Sequence, residues 1–283
     1  MNKRITEELL DSYKLYLYEQ EKGKATIQKY MCDLRKLVEF AGGRELSKLL
    51  LIEYKDYLKN EKDYKTSSIN SFLVAANRFF EYMDWYELKV KTFKVQKEAF
   101  MPENKELSKE DYKKLVKTAF DQGKTRIGMI VQTICATGIR VSELSAITVS
   151  AVEKGMATIY NKGKERQILI FRDLQIRLLQ YIRKTGIKNG LVFQTSTGKA
   201  VDRTWIWREM KKLCEEAGVD KNKVFPHNLR HLFARTFYTL HKDIAKLADM
   251  LGHTNIETTR IYLKESYAKH RRQLEQLDLL VET

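Results

Sequence analysis

The chain has 283 residues, 43% of them hydrophobic and 31% charged, with 13 Gly and 2 Pro. That composition excludes a disordered, collagenous or low-complexity protein and predicts a soluble, mainly helical one of two domains, each about 100 to 150 residues. Lys and Arg number 52 against 37 Asp and Glu, and the resulting formal charge of +15 points to a polyanionic partner, most simply nucleic acid. Cys32, Cys135 and Cys214 are too far apart for a CxxC pair or a zinc cluster, so they read as small buried hydrophobes in a reducing compartment.

At the N-terminus, Glu7, Glu8 and Asp11 occupy the stretch where a signal peptide needs its apolar core. The longest apolar run, 127–139, is interrupted by Gln132 and two threonines, so no membrane partner is expected and the protein should be cytoplasmic and nucleoid-associated. Ile27, Met31, Leu34, Leu37 and Val38 recur at helical spacing, and Phe72, Val74, Phe79, Phe80 and Met83 form a second such stretch. Residues 1–96 therefore read as a small helical bundle. Periodicity fails around 94–107, where Met101-Pro102-Glu103-Asn104-Lys105 has the character of a linker, placed at 97–106. Residues 107–283 form the second domain, opened by Ser108 as the N-cap of a helix with Asp111 three residues on.

The charge is unevenly shared between these parts. Residues 1–100 carry 19 basic and 16 acidic side chains, whereas 101–283 carry 33 and 21. In the second part, 156–160 and 166–170 are short β-type runs around Asn161-Lys162-Gly163-Lys164, which predicts a hairpin with its lysines at the tip. Further helices are expected at 174–181, 205–217, 229–240, 244–251 and 257–263.

Several residues in this part could carry chemistry together. His227-Asn228-Leu229-Arg230 places an imidazole and a guanidinium one turn apart after Pro226. In Ala136-Thr137-Gly138-Ile139-Arg140-Val141-Ser142-Glu143-Leu144, a Gly breaks an apolar helix before Arg140, and Glu143 at i+3 can hold that guanidinium. Leu251-Gly252-His253 ends a helix with Gly at C′, and Thr254-Asn255-Ile256-Glu257 has the spacing of a capping box. Tyr262 follows His253 by nine residues.

These segments in this order resemble the catalytic domain of the tyrosine recombinase (phage integrase) family. The similarity lies in ATGIRVSEL around Arg140, NKGKER around Lys162, HNLRH around His227 and Arg230, and LGHTNIETTRIYLK with His253 and Tyr262. Ala25-Thr26-Ile27-Gln28-Lys29-Tyr30 with Asp33-Leu34, and then 67–80, resemble the family's helical core-binding domain, so the likeness spans essentially the whole chain and is nearest to the short Xer-like members.

The resemblance implies a mainly α, two-domain architecture with a small β hairpin, closing on DNA as a C-shaped clamp. It also implies a site-specific recombinase that cuts and rejoins duplex recombination sites through a 3′-phosphotyrosyl link and a Holliday junction. Tyr262 would be the nucleophile, Arg140 and Arg230 would hold the phosphate, and His253 would donate a further hydrogen bond. His227 would assist proton removal or bind phosphate, and Lys162 would protonate the 5′-oxygen as general acid, with Lys164 as the alternative. A phenol of pKa about 10 is a weak nucleophile, so such a site has to stabilise developing charge, which bidentate guanidinium groups do.

The ester stores the bond energy, so no cofactor, metal, ATP or small-molecule substrate is expected. A tail with Leu274, Leu277, Leu279 and Leu280 would pack into a neighbouring protomer of a homo-tetramer in the synaptic complex, with a second recombinase as a possible partner, or else fold back on its own chain. The competing reading is a non-cleaving DNA-binding regulator or architectural protein on the same fold. Lys36, Arg78, Arg203, Arg208, Lys211, Lys212 and Arg235 are candidate phosphate contacts, and a solvated face explains each equally well.

Overall fold

The computed structural model describes residues 3–94, 106–161, 164–263 and 275–276. The chain divides into two compact units, Met1–Lys97 and Glu98–Thr283. The described residues of the first are helical: α1 Glu7–Glu19, α2 Lys24–Ala41, α3 Lys48–Asn60 and α4 Thr66–Tyr82, followed by a 3-10 turn at Tyr86–Leu88. Thr6 caps α1 by accepting from the Leu9 amide, and Ser47 caps α3 by accepting from Leu50. Leu10, Tyr13, Leu34, Leu37, Leu51, Phe79 and Phe80 meet in the core of this bundle. Tyr13 stands edge-on to Phe79, ring centroids 5.2 Å apart, the arrangement that aromatic quadrupoles favour.

Two side chains of α4 act as substitute strands. Asn77 pairs with both the N–H and the carbonyl of Val90, at 3.0 and 2.8 Å, and Asn70 does the same with Phe93, at 2.8 and 2.9 Å. The extended segment after the 3-10 turn is thereby stitched down without a sheet. One sequence expectation is reversed here: Val74 is 39% exposed, while Leu73, Ala75 and Ala76 face inward. Cys32 is likewise exposed, not buried.

The second unit is organised around one apolar helix. It contains α5 Lys109–Asp121, α6 Thr125–Thr137, a 3-10 turn Val141–Ala146 and α7 Val149–Lys154. Strands β1 Met156–Asn161 and β2 Lys164–Leu169 follow, then α8 Arg172–Thr185, α9 Arg203–Ala217, α10 Pro226–His241, α11 Ile244–Leu251 and α12 Ile256–Arg260. In α6, Ile127, Met129, Ile130, Val131 and Ile134 are all buried, so the helix is covered on every side, and full burial of each large side chain stabilises the fold by about 1.5–3 kcal/mol. Helices α5, α8, α9 and α10 pack around it.

The strands pair antiparallel with Asn161 opposite Lys164 and Ile159 opposite Arg166. The hairpin is thus tighter than the expected four-residue tip, with only residues 162 and 163 between the paired ends. Those two residues, Lys162 and Gly163, lie outside the described residues. The leucine-bearing tail lies there too, apart from 275–276, as does most of the expected linker. Among the described residues no helix is long and apolar enough to cross a membrane.

Candidate active site

Four chain segments of the second unit converge on Arg230, and each is turned toward it by an identifiable cap. Helix α6 ends at Gly138 in the left-handed conformation (φ +67°), which swings the chain so that Arg140 starts the next turn. A side chain at Gly138 is excluded twice, because a Cβ would also lie 2.5 Å from Phe233 Cδ1 on α10. Pro226 begins α10 with its missing N–H at a position that needs none, and Arg230 follows one turn on. Helix α11 stops at Gly252, and the chain passes through His253 into α12 and Tyr262. Asn255, rather than Thr254, is the N-cap of α12, its Oδ1 accepting from the Glu257 amide at 2.8 Å.

Arg230 is 1% exposed. Its Nη1 donates to the Gly138 carbonyl at 2.6 Å, and its Nη2 donates to the Leu251 carbonyl at 2.7 Å and to His253 Nε2 at 2.9 Å. Its Nε donates to the Tyr262 hydroxyl at 3.3 Å. A buried guanidinium without a carboxylate is tolerable because four acceptors surround it, and they fix its plane. Burial lowers its pKa, with Tyr262 opposing that effect.

Because Arg230 can only donate, His253 Nε2 is the acceptor and its proton sits on Nδ1, which faces Thr259 Oγ1 at 2.9 Å. Burial, then the charges of Arg230, Arg140 and Arg166, hold the His253 pKa down to about 4, so the ring is neutral at pH 7. In this geometry His253 accepts rather than donates. Donation to a phosphate requires the other tautomer, and the fully buried Thr259 hydroxyl can serve either one.

Tyr262 is 5% exposed and lies among three imidazoles. Its ring centroid is 5.4 Å from that of His253, nearly parallel, 5.5 Å from His227 and 4.3 Å from His231. His227 is solvent-accessible overall, but its inner side is covered, and that burial together with the charges of Arg230 and Arg140 lowers its pKa. His231 is buried, its Nδ1 has no hydrogen-bond partner among the described residues, and burial pushes its pKa down to about 4.

Arg140 is held as its spacing from Glu143 predicts, and more tightly. Glu143 Oε1 accepts from the Arg140 guanidinium and Oε2 from the Arg140 backbone N–H, both at 2.8 Å. Burial alone would raise the Glu143 pKa, but the Arg140 hydrogen bonds and the Arg166 charge more than reverse this and leave it below the ordinary carboxylate value.

The structure therefore brings together Arg140, His227, Arg230, His253 and Tyr262. Sequence reasoning missed Arg166 and Thr259 and assigned His231 no particular partner. The legible signal for Arg166 was its phase, since it shares the inward face of β2 with Ile168 and is in step with Ile170 just beyond the strand; for Thr259 it was the i−3 position relative to Tyr262. The candidate phosphate contacts divide. Arg203 and Arg208 are exposed, whereas Arg235 pairs with Glu106 and donates to the Leu107 carbonyl at 2.8 Å, and Lys211 donates to the Val224 carbonyl at 2.9 Å. Among the described residues no group of three or more His, Cys, Asp or Glu is placed to hold a metal ion.

A buried tyrosine hydroxyl on an arginine, flanked by a second arginine and by histidines in a helical domain with one hairpin, is the arrangement expected of the tyrosine recombinase class. The phage integrase family model matches residues 105–269, and the chain belongs to that family. Its activity is that of a site-specific tyrosine recombinase. It is 30% identical to tyrosine recombinase XerA of Pyrococcus furiosus, over 98% of this chain and 96% of that one. It is 27% identical to the TnP I resolvase of Bacillus thuringiensis, over 93% and 97% respectively. Among solved structures, XerH bound to difH substrate in a pre-cleavage complex matches 98% of this chain and 85% of its own, with 20% identity and a TM-score of 0.68. A lambda integrase dimer bound to a COC′ core site matches 92% of this chain and 78% of its own, with 15% identity and a TM-score of 0.73. At those identities the likeness bears on the fold.

Proposed function

We propose that this recombinase cleaves duplex DNA with Tyr262, acting within its own chain, through a 3′-phosphotyrosyl intermediate that is resolved by way of a Holliday junction. The observation that carries this reading is the Tyr262 hydroxyl on Arg230 Nε at 3.3 Å, beside an Arg140 already oriented by Glu143. Attack by Tyr262 Oη forms the P–O bond to tyrosine and breaks the P–O5′ bond. The negative charge that grows on the non-bridging oxygens is met by Arg140 and by the donors that Arg230 releases as Tyr262 advances.

His227, accessible and near the Tyr262 ring, takes the phenolic proton or binds phosphate; Lys162, or Lys164 in its place, protonates the departing 5′-oxygen. Religation to another 5′-hydroxyl reverses these steps and uses the energy held in the ester, without metal or ATP.

On this reading residues 1–96 are the core-binding domain and 107–283 the catalytic domain, and both contact the recombination site. Four copies act in the synaptic complex, at the nucleoid, joined by the C-terminal tail. A cavity of about 510 Å³ on the second unit, lined by apolar side chains including Leu232, Phe233, Phe237 and Leu240, is suited in size and character to receive such a tail. XerH and lambda integrase, named above in complexes with DNA, support duplex DNA as the substrate here.

The test is covalent trapping. Nicked duplexes from the DNA flanking the gene are incubated with the chain in EDTA and resolved on a denaturing gel, wild type beside Tyr262→Phe. A covalent adduct in wild type and its loss in Tyr262→Phe, with DNA affinity retained, is the expected result; an undiminished adduct in the variant refutes the assignment.

A further inference from the structure

Arg166 is not placed as a surface cation. It stands on β2 in phase with buried Ile168 and Ile170, and its side chain is 14% exposed. Its guanidinium joins two segments distant in sequence: Nη2 donates to Glu143 Oε2 at 2.6 Å, and Nη1 donates to the Met250 carbonyl at 2.7 Å. The first acceptor is the carboxylate that holds Arg140 by both its backbone and its guanidinium. The second lies in the last turn of α11, next to the Leu251 carbonyl that fixes Arg230 and three residues before His253.

Gly252 makes this reach possible. A Cβ there would lie 2.6 Å from Arg166 Cδ and 2.9 Å from Nε, and the backbone is in the left-handed region (φ +67°). Glycine is thus required both to end α11 and to let the Arg166 stem pass.

Charge gives the arrangement a purpose that packing alone would not. Burying a guanidinium is costly unless it is paired, and an apolar side chain would cover the same surface without that cost. With Arg166 present, the single Glu143 carboxylate is shared between two guanidinium groups. Arg140 is then oriented by Glu143 without being fully neutralised, and the cluster of Arg140, Arg166 and Arg230 keeps an excess of positive charge.

We propose that Arg166 is a positioning residue of the recombinase site: through Glu143 it orients the Arg140 guanidinium, and through the Met250 carbonyl it steadies the turn that presents His253. This rests on the reading of Arg140 and Tyr262 as the cleavage apparatus. Arg166 touches no reacting atom.

The test compares single-turnover cleavage by the full chain at the cut mapped with wild type. Arg166→Met should slow cleavage about 100-fold, the scale of a misoriented catalytic group, with DNA affinity nearly unchanged. Because Arg166 acts through Glu143, the double variant Arg166→Met with Glu143→Gln should lose no more than the worse single variant.

A substrate with sulfur in place of the bridging 5′-oxygen separates this role from leaving-group protonation, since a thiol of pKa about 8.5 departs without a proton. Sulfur should rescue Lys162→Ala and leave Arg166→Met slow. Rescue of Arg166→Met by sulfur, full additivity in the double variant, or wild-type rates in Arg166→Met would each overturn the proposal. Should Arg166→Met fail to fold, Arg166→Lys tests the Met250 link by itself, keeping the charge at Glu143; it should slow cleavage with DNA affinity retained, and a wild-type rate would overturn the role of that link.

If the wild type forms no Tyr262-dependent adduct, the proposed function fails and side-chain NMR decides the positioning role by itself. The Arg140 Nε–H signal, ordered in wild type, broadens in Arg166→Met if Arg166 orients it and is unchanged if it does not.

Discussion

Tyr262, Arg230 and His253 form a chain of hydrogen bonds and ring contacts in which each partner constrains the next, and its protonation follows from burial. The His253 and His231 pKa values both lie near 4, mainly through burial, against an ordinary value of 6.5. A histidine whose folded pKa is depressed binds fewer protons folded than unfolded between those two values. The stability it contributes is complete above pH 6.5 and is lost as pH falls toward 4. The melting temperature should therefore decline from pH 7 to pH 4.5, and His231→Gln should flatten that slope; an unchanged slope would show that His231 is not held neutral. At this scale the sequence was informative about identity and poor about partners. The spacing from Arg140 to Glu143 read correctly, but which His253 nitrogen carries the proton depends on Arg230, which lies 23 residues away.

At the level of elements, caps and glycines set where the site segments point. Ser108 Oγ accepts from the Asp111 amide at 2.9 Å, so Ser108→Ala should destabilise the second unit by about 1 kcal/mol in urea denaturation. Gly138 is more demanding. Its φ of +67° and the 2.5 Å approach of Phe233 both oppose a side chain, and Gly138→Ala should cost about 2–4 kcal/mol and impair cleavage by displacing Arg140. A Gly138→Ala chain as stable and active as wild type would show that this turn does not place Arg140. Helix existence was legible here because an apolar stripe is a local pattern. Its phase was less so: Val74 fits the stripe by type yet faces out, because Leu73 and Ala76 fill the interior first.

Across the whole molecule, the positive charge is concentrated in the second unit, where 33 basic side chains in 101–283 oppose 21 acidic ones. DNA affinity should fall steeply with salt, log K dropping by about 0.9 for each phosphate neutralised per log unit of salt. A flat dependence in a filter-binding or anisotropy titration would refute binding through phosphate contacts. The basic residues are not equal contributors. Arg235 is occupied by Glu106 and the Leu107 carbonyl, so Arg235→Ala should lower stability more than it changes the salt slope, whereas Arg208→Ala should reduce the slope.

The sequence by itself determined the family, the mainly helical class, the hairpin and the order of Arg140, His227, Arg230, His253 and Tyr262, because helix periodicity, glycine stops and short motifs are encoded within a few residues of chain. Only the tertiary structure decided that Arg166 joins Glu143 to Met250, that Thr259 pairs with His253, and that Arg235 is an internal tie rather than a free cation. Those contacts join residues up to 129 apart in the chain, and what brings them together is the packing of α10 on the buried α6, of α11 on α10, and of β1 on the 3-10 turn that carries Glu143. A side chain's charge can be read from one letter. Whether it meets solvent, a carbonyl or a carboxylate is set by elements that its own neighbours in sequence do not specify.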